Sequence, residues 1–199
     1  MKQILLFLTL VAFTLAQVTN SVQLSNGFAL TYQISSPNII FTLTGSNQGY
    51  VALGFGGFGM HSIDAAAFRW DGTKVVGEDR TNLDNLQVVE LDTDQGCVNN
   101  ITVDPTSTYD PSTGQWNIKF SRPLNTNEAN CDQIIQPETS QNLAFALFND
   151  FTWQRHNSQN YWQLTFSANA QSNPTISTTS SQLTQLTYIT FLFGLIILI

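Results

Sequence analysis

The sequence predicts an all-β fold, a single β-sandwich of about ten short antiparallel strands. Three observations carry this expectation. No stretch of the middle of the chain shows a sustained apolar repeat at 3.6 residues. Short runs of β-branched and aromatic residues recur instead, broken by Gly, Asn, Asp and Pro. The run Trp116-Asn117-Ile118-Lys119-Phe120 alternates strictly, placing its aromatics and Ile on one side. In chain order, strands are expected at 28–34, 39–43, 50–55, 65–70, 74–77, 86–91, 97–103, 115–121, 143–148 and 161–166. Trp70-Asp71-Gly72-Thr73 joins the fourth to the fifth as a tight hairpin turn. Ten short strands at this spacing suggest a sandwich. There is no internal repeat, and no boundary divides residues 17–167 into two domains.

The two ends carry addresses rather than fold. Lys2 precedes an almost unbroken apolar run over 4–15, and Thr14 and Ala16 are the small residues of a cleavage site before Gln17. Residues 1–16 are therefore expected to be a signal peptide. They are too short for a membrane span, which needs about 20 apolar residues. Arg155 is the last charged residue, and the 44 positions after it hold no Lys, Arg, Asp or Glu. Residues 168–187 form a polar, Ser/Thr-rich stalk that cannot bury a core. The apolar tail 188–199 would make a helix of about 18 Å, short of the roughly 30 Å hydrocarbon core. Small residues, polar spacer and terminal apolar tail make the layout of a glycosylphosphatidylinositol signal, with attachment expected between Ser167 and Ser177. A direct tail anchor is the alternative. Either places the protein on the extracellular face of the plasma membrane.

Charge and cysteines narrow the chemistry. Without the signal, six Lys/Arg face fourteen Asp/Glu, a net charge of −8, which excludes a nucleic-acid footprint. Cys97 and Cys131 both lie in the exported part, where one disulfide is the default. Asn100-Ile101-Thr102 is a glycosylation sequon, whereas Pro174 spoils Asn173. There is no phosphate-binding glycine loop, paired-histidine zinc helix or nucleophile elbow. The acids Glu78, Asp79, Asp92 and Asp94 lie near turns and read as a solvated face rather than a hydrolytic pair.

Two segments concentrate potential ligands. The glycine-rich 54–64 contains Met60 and His61, and the aromatic 145–162 contains Phe148, Phe151, Trp153, His156 and Trp162. Met60 is the one methionine left after signal removal, and His61 and His156 are the two histidines. From the residues alone, Met60 as a core filler and His156 as a surface loop residue remains the simpler account.

A family resemblance changes that weighting. Tyr50-Val51-Ala52-Leu53-Gly54-Phe55-Gly56, then Gly59-Met60, Asp64-Ala65-Ala66-Ala67-Phe68-Arg69-Trp70 and Asp79-Arg80, resemble the core of a DOMON domain. Ile118-Lys119-Phe120-Ser121-Arg122-Pro123-Leu124 resembles that family's later strand. Leu143-Ala144-Phe145-Ala146-Leu147-Phe148, His156-Asn157 and Trp162-Gln163-Leu164-Thr165-Phe166 resemble its final hairpin. The resemblance spans roughly 24–166 and implies a β-sandwich that binds haem or a sugar. In members of the cellobiose-dehydrogenase-cytochrome type, one Met and one His ligate haem iron, and these positions fall on Met60 and His156. In members of the dopamine β-hydroxylase type the domain lacks haem. Ser62-Ile63-Asp64 stands where small-Gly-Ala-Asp is common, and Asn157 follows the histidine where Gly is frequent. The implied pocket for haem b would be walled by Phe55, Phe58, Trp70, Phe148 and Trp153, with His61 turned to solvent. The expected function is electron transfer without catalysis, to an unspecified redox partner. The alternative is a non-haem module that binds a carbohydrate or a surface protein.

Overall fold

Side-chain alternation decides which way the strands face. In the computed structural model, which describes residues 20–57, 62–82, 89–154 and 156–168, strand β10 (Gln115–Pro123) buries every second residue. Its neighbour β3 (Asn38–Ser46) does the same. Their buried sides carry Trp116, Ile118 and Phe120, and Ile39, Phe41 and Leu43. Both strands belong to a six-stranded antiparallel sheet, sheet A, in the order β1 (Asn20–Gln23), β2 (Ala29–Ser35), β3, β10, β8 (Thr102–Val103). The short β9 (Thr108–Asp110) also pairs with β10. Sheet B has six strands in the order β12 (Ser158–Thr165), β11 (Ser140–Leu147), β4 (Val51–Phe55), β5 (Ile63–Trp70), β6 (Val75–Asn82), β7 (Glu90–Leu91). No α-helix occurs among the described residues; the 3₁₀ turns Ser25–Gly27 and Asp92–Gln95 are the helical elements there.

The core lies between the sheets. Leu30, Phe41, Phe120 and Trp116 of sheet A meet Val51, Leu53, Phe68 and Phe145 of sheet B in one apolar cluster. Phe41 and Phe120 stack at 5.0 Å, and Phe68 tilts onto Phe120 at 4.6 Å. Each such side chain contributes ~1.5–3 kcal/mol when fully buried. The expected hairpin turn is present: Asp71 N donates to Lys74 O at 3.2 Å, and Gly72 takes the left-handed φ of 100° that the turn needs.

Among the described residues twelve strands replace the expected ten. The unforeseen β1 and β9 are short and mostly polar, each with one buried apolar residue, Val22 and Tyr109. The expected strand 97–103 shrinks to Thr102–Val103, because Cys97 follows the Gly96 cap of the 3₁₀ turn and its N–H is committed to Asp92 O at 2.9 Å. Of 86–91, Glu90–Leu91 is strand, and 86–88 lie outside the described residues. Cys97 and Cys131 form the expected disulfide, and a bridge spanning 34 residues is worth ~3–4 kcal/mol by loop closure. The disulfide suggests an exported protein. The expected signal peptide, the tail 188–199 and all of the stalk but Ala168 lie outside the described residues. Among the described residues no helix is long and apolar enough to cross a membrane.

Candidate functional site

The outward face of sheet B is made of very small side chains. Strand β4 sends Val51, Leu53 and Phe55 into the core, so Ala52 and Gly54 face out. Register sets Ala67 and Ala65 of β5 beside them on one flank, and Ala146 and Ala144 of β11 on the other. These six residues form a flat platform three strands wide. Tyr161 and Gln159 of β12 border it on one side, Arg80 and Glu78 of β6 on the other. At Gly54 an added Cβ would stand 2.4 Å from Ile63 Cδ1 and 3.3 Å from Ala144 Cβ.

The outer face of sheet A provides the contrast, since it carries Thr31, Thr42, Thr44, Asn117 and Lys119 on the usual polar pattern. On sheet B, Ala52, Ala65, Ala67 and Ala144 are only 2–6% exposed. The platform is covered. Ile63, Ala65, Val89 and Ala144 cluster there, with Trp153 and Tyr161 packed against them.

Part of that cover is the segment between β11 and β12. Phe148 N donates to Tyr50 O at 3.2 Å, Tyr50 N to Asp150 O at 3.0 Å, and the Tyr50 hydroxyl to Gln154 O at 2.6 Å. The Tyr50 ring contacts Trp153 at 4.5 Å and Phe148 at 5.8 Å. Arg80 places its guanidinium 4.1 Å from the Trp153 ring centroid, a cation–π contact that ties β6 to this segment. The same guanidinium donates to Glu78 and to Val89 O, at 2.7 and 3.1 Å. Burial pushes the Tyr50 hydroxyl up to about 12, which keeps it a neutral donor. Burial would raise Glu78 too, but the hydrogen bonds from Arg69 and Arg80 outweigh it and hold the carboxyl below its usual range. Glu78 therefore stays ionised at neutral pH.

The expected site residues divide between two faces and the undescribed segments. Phe148 and Trp153 meet on Tyr50, and His156 is half-buried in the same segment, followed by Asn157, whose N–H donates to Leu147 O at 3.1 Å. Phe55 and Trp70 are not brought to them. Phe55 is 3% exposed inside the sandwich, 5.7 Å from Phe41, and Trp70 packs on Tyr109 at 5.9 Å. Phe58, Met60 and His61 lie outside the described residues. The segments holding Met60 and His156 leave opposite ends of the β4–β11 pair, because Phe55 lies opposite Leu143 and Val51 opposite Leu147. Those ends are about 13 Å apart. Two such segments meet only by running back over a face of the sheet, and Trp153 shows the second one doing so on the platform side. Asn100 of the sequon is half-buried, its amide donating to Glu128 at 2.5 Å and Asp132 at 3.1 Å.

The platform was missed in the sequence, although a signal for it exists. In Leu143-Ala144-Phe145-Ala146-Leu147 large and small residues alternate at period two, and Ala65-Ala66-Ala67 lies in the facing strand. A strand with one face large and the other reduced to methyl groups prepares a close approach on the small side.

Comparison with known proteins agrees with this architecture. The family model described as the DOMON domain matches residues 24–147. The fold is similar to the cytochrome b domain of pyranose dehydrogenase from Coprinopsis cinerea, with a TM-score of 0.55 and 13% identity, covering 73% of this chain and 80% of that one. It is also similar to the cytochrome domain of Myriococcum thermophilum cellobiose dehydrogenase, with a TM-score of 0.54 and 14% identity, covering 77% and 84%. No curated protein matches the sequence.

Proposed function

The chain belongs to the DOMON domain family, and from that starting point we propose that it is a b-type haem carrier that passes single electrons outside the cell. The observation that carries this reading is the platform of Ala52, Gly54, Ala65, Ala67, Ala144 and Ala146, buried at all but the half-buried Ala146. A planar macrocycle needs a floor without protruding side chains and a largely apolar, enclosed site. Ala52, Ala65, Ala67, Ala144 and Ala146 offer such a floor, with Ile63 lying over Gly54 at its edge and Tyr50, Trp153 and Tyr161 as aromatic surroundings. The two solved structures named above are cytochrome domains, which favours electron transfer over catalysis.

In this reading His156 supplies the nitrogen ligand and Met60 the thioether, while Phe148 and Trp153 wall the site. Phe55 and Trp70 serve the sandwich core instead. No Cys-x-x-Cys-His motif is present, so haem would be held without covalent bonds. When bound, haem would supply a one-electron couple, and a thioether ligand such as Met60 would raise its potential. The C-terminal tail or a lipid exchanged for it would hold the protein at the plasma membrane, where a redox partner delivers or removes the electron.

The test is an absorbance spectrum of the protein purified from cells grown with ample haem. A Soret band is expected. His156→Ala should remove most of the bound haem, Met60→Ala should keep haem at a lowered potential, and His61→Ala should leave the spectrum unchanged. Absence of a Soret band would overturn the proposal and point to carbohydrate or surface-protein binding. Haem loss in His61→Ala but not in His156→Ala would overturn the ligand assignment.

A further inference from the structure

The inner face of sheet B carries charge inside an otherwise apolar core. Asp64 of β5 and Asp79 of β6 turn inward and are 0% and 1% exposed, and Asp132, next to the disulfide's Cys131, is 4% exposed. Ligand oxygens of all three lie within 4.8 Å of one another. Arg122 of β10 reaches them from sheet A: its Nη1 donates to Asp64 Oδ2 at 2.7 Å, and its Nη2 lies 3.5 Å from Asp132 Oδ1 and donates to Gln133 O at 3.1 Å. A fourth carboxylate, Asp92 of the 3₁₀ turn, is 0% exposed beside the group. Four buried acids thus face one guanidinium.

The carboxylate oxygens fall into two classes. Asp64 Oδ2 accepts from Arg122 and from Gln133 N, Asp79 Oδ2 from Asn100 N, and Asp132 Oδ2 from the Asn100 amide. Each carboxylate is therefore oriented through its Oδ2. The Oδ1 of Asp132 is buried with only the 3.5 Å ion pair to Arg122, and those of Asp64 and Asp79 are buried with no hydrogen-bond partner. So are both oxygens of Asp92 and the hydroxyl of Thr81, which faces the same side of β6 as Asp79. Buried polar oxygens without partners are costly, and several in one place call for a bound ion or for protons. A proton answers one carboxylate, whereas a cation answers several at once. The donors are all oxygen, with no imidazole or thiolate, which selects a hard cation. Calcium takes six to eight oxygens in flexible geometry, whereas magnesium demands a near-ideal octahedron and keeps its waters.

We propose that Asp64, Asp79 and Asp132 form a calcium site, completed by Asp92 and Thr81 at its edge. The ion clamps β5 and β6 to the loop after β10, beside the Cys97–Cys131 bridge. The Asn100 amide orients Asp132, so the sequon residue is a positioning residue of this site. The site lies on the opposite face of sheet B from the platform, and it stands whether or not haem binds there.

The test uses the full-length protein, stripped with EDTA and titrated with CaCl₂ or MgCl₂ by calorimetry and thermal unfolding. CaCl₂ is expected to bind saturably at ~10⁻⁴–10⁻³ M, as in extracellular modules, and to raise Tm, with MgCl₂ weaker. Asp79→Asn keeps the side-chain shape and removes one charge. It should weaken calcium binding ~tenfold or more, with Tm in EDTA equal to or above wild type, which shows the variant folds. Asp94→Asn, an exposed acid on the same turn as Asp92, should leave calcium binding intact. The proposal is overturned if wild type shows no saturable binding up to about 10 mM CaCl₂, if magnesium binds as tightly as calcium, if Asp79→Asn keeps wild-type affinity, or if Asp94→Asn loses it.

Discussion

Replacing Arg122 by Met tests what holds the two sheets together at their charged end. The Arg122 side chain is fully buried, donates to Asp64 at 2.7 Å and to Gln133 O at 3.1 Å, and lies 4.9 Å from the Phe55 ring centroid. Met fills most of the same volume, so little of the loss is cavity. Breaking a buried ion pair by removing one partner costs ~3–5 kcal/mol, because the remaining charge stays buried. For a domain of this size that is a Tm decrease of roughly 10 °C. The pH dependence has a definite sign. Burial, opposed by Arg122, already pushes the Asp64 carboxyl up to about 6 from the ordinary 3.8. Removing Arg122 raises it further. A carboxyl whose folded pKa exceeds its unfolded value contributes stability that is complete below the unfolded pKa and lost as pH rises through the folded one. The deficit of Arg122→Met should therefore be largest at pH 7.5 and smaller at pH 5.5, where Asp64 takes up a proton in the folded variant. Urea unfolding of the EDTA-treated protein at both pH values measures this. A deficit under about 1 kcal/mol at pH 7.5, or one that is equal at the two pH values, would refute the reasoning.

Gly54→Val places a β-carbon 2.4 Å from Ile63 Cδ1, and overpacking of this kind costs ~1–3 kcal/mol. If the platform is the haem floor, the variant should also lose its Soret band beyond what its Tm decrease explains, as judged against a core variant of equal Tm. For tethering, a phosphatidylinositol-specific phospholipase should release the protein from intact cells. Protein retained on the membrane with Ile199 at its C-terminus by mass spectrometry would rule out the lipid anchor.

The sandwich was legible because its strands advertise themselves one at a time. Trp116, Ile118 and Phe120 announce their buried side without help from any neighbour, and β10 duly pairs over nine residues with β3. β1 and β9 were illegible for the opposite reason: each contributes one inward apolar residue and is strand because β2 or β10 lies beside it. The candidate site was half legible. Aromatic residues drew attention to Phe148 and Trp153, which do pack together on Tyr50. The same criterion also selected Phe55 and Trp70, which face the interior. Aromatic content does not report facing, whereas strand register does. Of the acids read as a solvated face, Asp94 is exposed as expected, and Asp79 and Asp92 were misread. Asp79 and Asp92 are buried, because partners far away in sequence, Asn100, Arg122 and Asp132, surround them, and no local pattern encodes that.

Both sites of sheet B arise from the same few residues read in alternate directions. In β5, Asp64 turns inward to the acid cluster, and the next residue, Ala65, turns outward to the platform. In β6, Asp79 turns inward, and Arg80 turns outward to Trp153. The pairing of Ala65 with Arg80 and of Ala66 with Asp79 fixes both arrangements at once. A slip of one residue would bury Arg80 among the core aromatics and put Asp79 under Trp153. The cluster and the platform therefore specify one another: the carboxylates are costly inside the sandwich, but they sit inside in the register that turns the small residues out. A ligand that neutralises the inner carboxylates would stabilise the outer floor through shared backbone pairing, without touching it.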